Sequence, residues 1–291
     1  MEKLFLLDAY ALIYRAYYAF IKNPRINSKG LNTSAILGFV NTLEEVLRKE
    51  NPTHIGIAFD PSGPTFRHEA YQAYKAQREE TPEAIRQSVP IIKDIIRAYR
   101  IPILEVAGYE ADDVIGTLAT EAGKRGITTY MMTPDKDYGQ LVGEHVFMYR
   151  PKYGDKDFEI MGVNEVKAKF DIQSPLQVID MLGLMGDTAD NIPGCPGVGE
   201  KTAQKLIAQF GSIENLLTHT DELKGAIKKK VEENKEQIMF SKFLATIKTD
   251  VPVQLDMDAL KKEEPDEEEL RRLFEMLEFR TLIDRVIKTE K

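Results

Sequence analysis

Four short apolar segments, each followed closely by acidic residues, limit the possible folds of this chain more than any other feature. They lie at residues 3–7, 54–59, 101–106 and 127–132, and the stretches between them have helical periodicity. Apolar runs of this length are typical of buried strands. Because strands that alternate with helices favour βαβ units, the sequence predicts an α/β fold with a mainly parallel sheet. Its reactive edge is expected beyond the carboxyl ends of the strands.

Helices are predicted at residues 10–20, 34–50, 82–100, with Pro90 as a possible kink, and from 111 to about 125. Two further strands are predicted at 146–149 and 158–161, and only helices after residue 163. Residues 61–81 have little periodicity. We therefore divide the chain into an α/β core at 1–162, a helical region at 163–255 and an acidic helical extension at 256–291.

The segment Gly108–Asp113 brings three carboxylates into the first turn of a predicted helix. One or two acids are common there, because the free N–H groups and the helix dipole favour negative charge. Three acids within one turn repel one another unless a cation lies among them. A later pair of acids is three residues apart, so a helical turn would direct both to the same side. With the acids that follow the other strands, nine carboxylates are candidates: Asp8, Asp60, Glu110, Asp112, Asp113, Asp135, Asp137, Asp187 and Asp190.

Carboxylate oxygens are hard ligands that suit Mg²⁺ or Mn²⁺. Nine of them exceed the needs of one octahedral ion, so the sequence indicates two divalent cations. Two such ions about 4 Å apart can activate a water and stabilise the leaving oxygen of a phosphoryl displacement. The chain has no Walker loop, no G-x-S-x-G elbow and no zinc-type Cys/His spacing. Metal-activated water is therefore a better candidate nucleophile than a side chain.

The single cysteine, Cys195, excludes an intrachain disulfide and favours a reducing, cytoplasmic setting. No apolar run approaches the roughly 20 residues that span a bilayer, so no membrane association is expected. The net charge of −8 at first argues against a nucleic-acid partner. However, residues 256–278 carry −6 and the nine candidate ligands −9, so the remaining residues carry +7. This basic remainder can bind a polyanion, whereas the acidic tail is interpreted as a solvated surface or a linker.

A glycine-rich segment at residues 192–203 is typical of a helix-hairpin-helix. Gly197 and Gly199 permit a tight turn, and the following helix start, with Lys201 and Thr202, can hold a phosphate. A generic turn between two helices is the alternative interpretation. A hairpin of this kind would bind the nucleic-acid backbone without distinguishing bases.

These motifs, in this order, resemble the 5′-nuclease (flap endonuclease) family. The resemblance covers nearly the whole chain and is carried by Asp8, Asp60, the Tyr74–Arg78 segment, Gly108–Asp113, Thr133–Asp137, Met185–Asn191 and the Gly197–Gly199 hairpin. Within the family it is strongest to the 5′→3′ exonuclease domains at the N-termini of bacterial DNA polymerases of the polymerase I type. Those polymerases are far longer, so this chain is expected to be either such a domain or a free-standing nuclease.

The resemblance implies a PIN-like fold with a helical arch at about residues 61–100 and a helix-three-turn-helix region. It implies Mg²⁺-dependent hydrolysis of DNA phosphodiesters near 5′ ends, nicks and flap junctions, in primer removal and repair. Lys75 and Arg78 match catalytic arch residues, and Arg67 and Tyr74 are taken with the hairpin as DNA-binding residues. A K⁺ ion at the hairpin and a covalently linked polymerase domain are also implied.

Two other functions stay open. A DNA-junction scaffold would keep the hairpin but lack some of the acids, and none is missing here. An aspartyl-phosphate phosphatase also has an Asp after its first strand. It usually requires a second Asp two residues later, and this chain has Tyr10 at that position.

Overall fold

The computed structural model describes residues 1–151 and 157–287, and within them six strands form one sheet. The order across the sheet is β3-β2-β1-β4-β5-β6, and every neighbouring pair is parallel except β5 and β6. The strands are β1 (Lys3–Asp8), β2 (His54–Ala58), β3 (Ile103–Leu104), β4 (Thr128–Met132), β5 (Val146–Pro151) and β6 (Phe158–Met161). The predicted α/β fold with a mainly parallel sheet is confirmed.

The central strand β1 is buried on both faces, which explains its continuous apolar sequence. Successive side chains of a strand point to opposite faces. Leu4 and Leu6 accordingly lie in one hydrophobic cluster, and Phe5 and Leu7 lie in the other. Helices cover both faces of the sheet.

The first half of the chain contains five α-helices. They are α1 (Ala9–Ala19), α2 (Ser34–Glu50), α3 (Phe66–Ala70), α4 (Glu83–Ala98) and α5 (Ala111–Lys124). Helices α1, α2 and α4 contribute to the cluster with Phe5 and Leu7, whereas α5 contributes to the cluster on the opposite face. The short helix α3 was not predicted. Its sequence, five residues long, is too short to show a helical period.

Two predictions for this half need correction. The strand predicted at 101–106 is only two residues long, because β3 is an edge strand that pairs with β2 alone and Pro102 has no N–H to donate. The arch predicted at about 61–100 is too long. Helix α4 buries Ile85, Ile92 and Ile96 completely in the core, so only the part of this segment before α4 can act as an arch.

The second half of the described chain is helical, as predicted. Its helices are α6 (Val163–Phe170), α7 (Gln177–Met185), α8 (Glu200–Phe210), α9 (Ile213–Thr218), α10 (Gly225–Glu233), α11 (Lys235–Ala245), α12 (Met257–Leu260), α13 (Glu267–Leu277) and α14 (Arg280–Val286). Helix α7 packs on α8 and α11, and their apolar residues continue the cluster beneath α5. None of the helices in the described ranges is long and apolar enough to cross a membrane.

The acidic C-terminal extension is not a linker. Helix α13 buries Leu270, Leu273, Phe274 and Leu277 in the same cluster as α2 and α4. The exposed acids Glu267 and Glu268 lie in its first turn, where the helix dipole favours them. The prediction of a solvated acidic surface is correct for these side chains, but the helix that carries them belongs to the core.

Candidate active site

Three adjacent strands place acids at one edge of the sheet. Asp8 is the last residue of β1, Asp60 follows β2 by two residues, and Asp135 follows β4 by three. Since β1 lies between β2 and β4, with Asp8 paired to Ala58, these three acids lie at neighbouring strand ends. The strand order of the structure therefore brings the three acids to one edge of the sheet, where the sequence predicted them.

Asp8 is buried at the centre of this edge. Its Oδ2 accepts a hydrogen bond from the Tyr138 hydroxyl at 2.9 Å, and its Oδ1 accepts one from the Ala11 amide at 3.4 Å. Burial, together with the negative charges of Asp60 and Asp135, raises the pKa of Asp8 to about 7. Tyr138 was not among the predicted site residues, because nothing in its sequence neighbourhood distinguishes it from a core tyrosine.

The N-terminus of α5 brings Glu110, Asp112 and Asp113 together, with one oxygen of each within 4.8 Å of the others. Glu110 and Asp113 reciprocally cap the first turn of the helix. The Ala111 amide donates to Asp60 Oδ1 at 2.7 Å, which joins this helix end to the strand edge. Glu110 and Asp113 therefore serve the start of the helix, which leaves Asp112 as the acid of this turn that is available to a ligand.

One carboxylate oxygen of Asp112 has no hydrogen-bond partner in the described part of the chain. This oxygen, Oδ1, is buried. Burial and the neighbouring charges of Asp113 and Glu110 raise its pKa well above the ordinary value. An unpaired carboxylate oxygen in such a place is costly unless a cation binds there.

A second acidic group consists of Asp137, Asp187 and Asp190, also with one oxygen of each within 4.8 Å of the others. Asp137 Oδ1, like Asp112 Oδ1, is buried and has no hydrogen-bond partner within residues 1–151 and 157–287. Burial and the charges of Asp135 and Asp187 raise the pKa of Asp137 to about 8. Burial also raises the pKa of Asp135, which feels the charge of Asp187. Asp8 feels the charges of Asp135 and Asp60, and Asp60 feels that of Glu110, so the two acidic groups are electrostatically connected through the strand ends.

Asp187 and Asp190 do not lie in a helical turn, contrary to the prediction. Asp187 pairs with Ile192 in an isolated antiparallel bridge, and the Ala189 amide donates to Asp187 Oδ1 at 3.0 Å. The loop after α7 therefore folds back on itself. The loop still directs both carboxylates toward Asp137. The prediction that Asp187 and Asp190 lie together was therefore correct, although a folded loop and not a helical turn brings them together.

Asp113 is a poor candidate for a ligand, although it was predicted as one. It is completely buried, and each of its oxygens accepts two hydrogen bonds, from Arg67 and from the Glu110 and Lys248 amides. These bonds use the roughly four lone-pair sites of a carboxylate. We therefore withdraw Asp113 from the ligand set and assign it to the framework of the site.

Lys75 and Arg78 lie against the acids. The Lys75 ammonium donates to Glu110 Oε1 at 2.6 Å and lies 4.0 Å from Asp190 Oδ1. Arg78 pairs with the same Asp190 oxygen and donates to the Ala189 carbonyl at 3.0 Å. Although burial opposes ionisation of Glu110, the charges of Lys75 and Arg67 lower its pKa. Both predicted catalytic cations thus lie at the carboxylates.

Arg67 and Tyr74 cannot contact DNA as predicted, because both are buried, with 1% and 3% exposure. Arg67 forms ion pairs with Glu110 and Asp113, and the Tyr74 hydroxyl donates to Glu110 at 3.1 Å. Their basic and aromatic character suggested a DNA surface, but the sequence does not show that they point inward.

The glycine-rich hairpin leads directly into α8. Gly197 has φ +78°, a left-handed conformation that favours glycine, and Gly199 caps the helix. A Cβ atom at Gly199 would meet no heavy atom within 4 Å, so the space before the helix is open. The Lys230 side chain lies over Gly197, with its Cε 3.1 Å from where a Cβ would be. Lys230 was missed, although the lysine run at 228–230 was a signal.

Comparisons with known proteins agree with this geometry. A family model for the N-terminal resolvase-like domain of 5′–3′ exonucleases matches residues 3–171, and one for their C-terminal SAM fold matches residues 173–268. The chain belongs to the 5′–3′ exonuclease family. It is thus a nuclease domain of the kind found in DNA polymerase I, as the motifs indicated. The boundary between the two matches lies within ten residues of the predicted start of the helical region.

The curated relatives are longer proteins. The chain is 42% identical to DNA polymerase I of Bacillus caldotenax over 287 residues, which cover 98% of this chain and 32% of that protein. It is also 42% identical to DNA polymerase I of Bacillus subtilis (strain 168), with the same coverage of both chains. The chain therefore spans about a third of the length of these relatives.

Two solved structures have the same fold. A zinc-bound T5 5′-exonuclease aligns with a TM-score of 0.71 at 19% identity, covering 94% of this chain and 99% of that one. The catalytic core of Rad2 in complex with DNA substrate aligns with a TM-score of 0.65 at 16% identity, covering 99% and 93%. At these low sequence identities, the two alignments show a shared fold alone.

Proposed function

We propose that this domain hydrolyses DNA phosphodiesters from 5′ ends and at flap junctions, using two divalent cations. The observation that carries the proposal is that Asp112 Oδ1 and Asp137 Oδ1, one in each acidic group, are buried without a hydrogen-bond partner in the described part of the chain. Their surroundings are other carboxylates with raised pKa values, and the basic pair Lys75 and Arg78 lies beside them. This arrangement suits cations and a phosphate, and it leaves no role for a side-chain nucleophile.

The residues present fit a hard divalent ion at each acidic group. Asp112, together with Asp60 and Asp8 at the strand ends, can supply oxygen ligands on one side, and Asp135, Asp137, Asp187 and Asp190 on the other. Glu110 lies next to the first group but is occupied by Lys75, Tyr74 and Arg67. When bound, Mg²⁺ or Mn²⁺ supplies activation of the attacking water and stabilisation of the leaving oxygen. The chain's own acids fix where that chemistry occurs.

Lys75 and Arg78 are proposed to bind the scissile phosphate. Both cations lie at the acidic groups and belong to the segment between α3 and α4. Lys75 adopts φ +56°, a conformation that costs a non-glycine residue about 1–3 kcal/mol. A strained backbone conformation of this kind persists only where the surrounding structure holds the residue in one position. The two cations would stabilise the negative charge that grows on the phosphate oxygens in the transition state.

The hairpin at Gly197 and Gly199 is proposed to hold the duplex part of the substrate. The amide groups at the start of α8 can bind a backbone phosphate, with Lys201, Thr202 and Lys230 alongside. Backbone carbonyls of the same turn would bind a K⁺ ion. Solved neighbours include a bacteriophage T5 D15 flap endonuclease with DNA and metal ions, which aligns with a TM-score of 0.71 at 18% identity and covers 95% of this chain and 100% of that one. It supports DNA as the ligand of this fold.

In the cell, the domain is proposed to remove primers during replication and damaged strands during repair. This proposal, and that of a covalently linked polymerase domain as its partner, is supported by the relatives named DNA polymerase I, of which this chain spans about a third. A cytoplasmic location is part of the same proposal.

The decisive experiment is cleavage of a 5′-labelled flap substrate with and without Mg²⁺, comparing the wild-type domain with Asp112→Asn. We expect the variant to lose at least about 1,000-fold in rate, because it removes an oxygen ligand while keeping the side-chain size. Glu267→Gln, which neutralises an exposed acid on α13, is the matched control and should cut normally.

Each contrary result selects another function. Tight flap binding without any cleavage by the wild type would identify a scaffold. Cleavage of a small phosphate ester but not of DNA would identify a phosphatase.

A further inference from the structure

Arg67 is a buried arginine with every donor in use. Its Nε donates to the Leu244 carbonyl at 2.8 Å, and its Nη2 donates to the Thr246 carbonyl at 2.7 Å. The same guanidinium donates to both oxygens of Asp113, at 2.8 and 2.9 Å, and to Glu110. Removing a guanidinium from water is expensive, and an ion pair with hydrogen bonds on all sides offsets that cost. A side chain held this completely is part of the framework.

These bonds connect three segments that are distant in the sequence. Arg67 lies in α3, Glu110 and Asp113 lie at the start of α5, and residues 244–248 comprise the end of α11 and the segment just after it. The Lys248 amide also donates to Asp113 Oδ1 at 2.8 Å. The guanidinium is therefore one of the points at which the α/β half and the helical half of the described chain are joined beside the carboxylates, together with the contacts of Lys75 and Arg78 to Asp190.

The connection continues to the catalytic cation. Glu110 accepts from Arg67 through Oε2 and from the Lys75 ammonium through Oε1, the latter at 2.6 Å. The Glu110 carboxylate cannot rotate without breaking one of these pairs. The Lys75 ammonium lies 2.6 Å from Glu110 Oε1 and 4.0 Å from Asp190 Oδ1, so Glu110 is the carboxylate that holds it most closely.

We infer that Arg67 is a positioning residue for the reaction: through Glu110 it sets the place of the Lys75 ammonium, and through Asp113 it fixes the helical half to the site. The inference rests on the proposed function for its catalytic consequence. Arg67 itself touches no substrate, because its guanidinium is enclosed by protein on every side. A lysine could not replace it, since three donors on one atom cannot serve two carboxylates and two carbonyls at these separations.

The first test measures single-turnover cleavage and flap binding in Ca²⁺ for Arg67→Lys and Arg67→Gln. The expected result is a rate lower by about 10- to 100-fold with a Kd changed less than about threefold, since the buried residue makes no phosphate contact. Arg97→Lys, on the exposed face of α4 with 62% of its side chain exposed, is the matched control and should behave as wild type. A weaker Kd with a salt slope reduced by about one counterion would show a direct DNA contact and overturn the inference.

A double-mutant cycle with Lys75 separates positioning from a general structural role. If Arg67 acts through Lys75, Arg67→Lys should lower the rate of a Lys75→Ala enzyme by less than about threefold, because the group it positions is already gone. Fully additive losses would contradict the inference.

A readout without catalysis keeps the inference testable even if the domain proves not to be a nuclease. Lys75 Nζ is paired with Glu110, and 23% of the side chain is exposed. Its reactivity toward an amine-labelling reagent, measured by mass spectrometry on the DNA-free domain, should rise several-fold in Arg67→Lys, while that of the exposed Lys124 stays constant. Unchanged Lys75 labelling would show that Arg67 does not hold this ammonium. Hydrogen exchange at the Lys248 amide reports separately whether the two halves remain joined.

Discussion

Gly194 lies directly against the backbone of Gly186, at the base of the loop that carries Asp187 and Asp190. A Cβ atom on Gly194 would lie 2.7 Å from the Gly186 Cα, closer than side-chain carbons approach backbone. Both glycines have left-handed conformations, with φ +63° and +72°. Two aspartates of the second acidic group are thus held by a close approach between two glycines rather than by a helix.

Gly194→Ala is therefore expected to destabilise the domain by about 2–4 kcal/mol, since it combines backbone strain with a clash that no side chain can relieve. The measurement is urea unfolding followed by circular dichroism. Gly63→Ala is the control: the same methyl group there meets nothing within 4 Å, and Gly63 does not have a left-handed φ. An equal loss in both variants would mean that the contact with Gly186 is unimportant.

Metal-free stability should depend on pH in the direction opposite to that of ordinary salt-bridged acids. The pKa of Asp137 is raised to about 8 in the fold, against about 3.9 in an unfolded chain. Between these values the folded state binds more protons, so the free energy of unfolding falls as the pH rises through this window. In EDTA, the melting temperature should decrease from pH 5 to pH 8.5.

Asp137→Asn tests the origin of this dependence. The variant should melt higher than wild type at pH 8 without metal, and nearly the same at pH 5. Adding Mg²⁺ at pH 8 should raise the melting temperature of wild type more than that of the variant, because binding to the folded state stabilises it. A wild type that is most stable at pH 8 in EDTA would contradict the raised pKa.

Whether a residue of this site could be predicted from the sequence depends on how far along the chain its partners lie. Asp8, Asp60 and Asp135 follow strands, and strand order brings them together by a rule that the sequence pattern already contains. The burial of Arg67 was not predictable, because its partners at Leu244 and Thr246 are more than 170 residues away. An exposed basic residue and a buried one have the same local sequence signal.

The C-terminal extension shows the same limit. Its run of acids at 263–269 suggested a solvated segment, which is correct for those side chains. The apolar residues Leu270, Leu273, Phe274 and Leu277 follow at helical spacing immediately afterwards, and this spacing is the sequence signal for a packed helix.

Lys75→Ala should lower the single-turnover rate by at least about 100-fold and leave flap binding in Ca²⁺ within about threefold of wild type. The reason is that the ammonium lies at the acidic groups, beside Glu110 and Asp190, and not on an open surface. Lys124→Ala, at the opposite end of α5 from the site, is the control. A changed dissociation constant with an unchanged rate would make Lys75 a docking residue.

Substitutions at the hairpin are expected to weaken DNA binding to an extent that depends on the substrate. Gly197→Val places a β-branched residue at φ +78° and pushes it into the Lys230 side chain, whereas Lys201→Ala and Lys230→Ala each remove only one charge. The valine variant should lose affinity for a long-duplex flap by about 10-fold or more. Each alanine variant should weaken binding and reduce the salt slope by about one counterion, because each removes a single phosphate contact.

A short single-stranded 5′ substrate should be cut at nearly the wild-type rate by all three variants, since the carboxylates, Lys75 and Arg78 are unchanged. The measurement is cleavage of both substrates across a salt series, with Lys124→Ala again as the control. Equal losses on both substrates would show that the hairpin supports the fold of the helical region and does not hold duplex DNA. Circular dichroism of the same samples would then reveal whether the helices had melted, because residues 163–245 contribute six of the α-helices in the described chain.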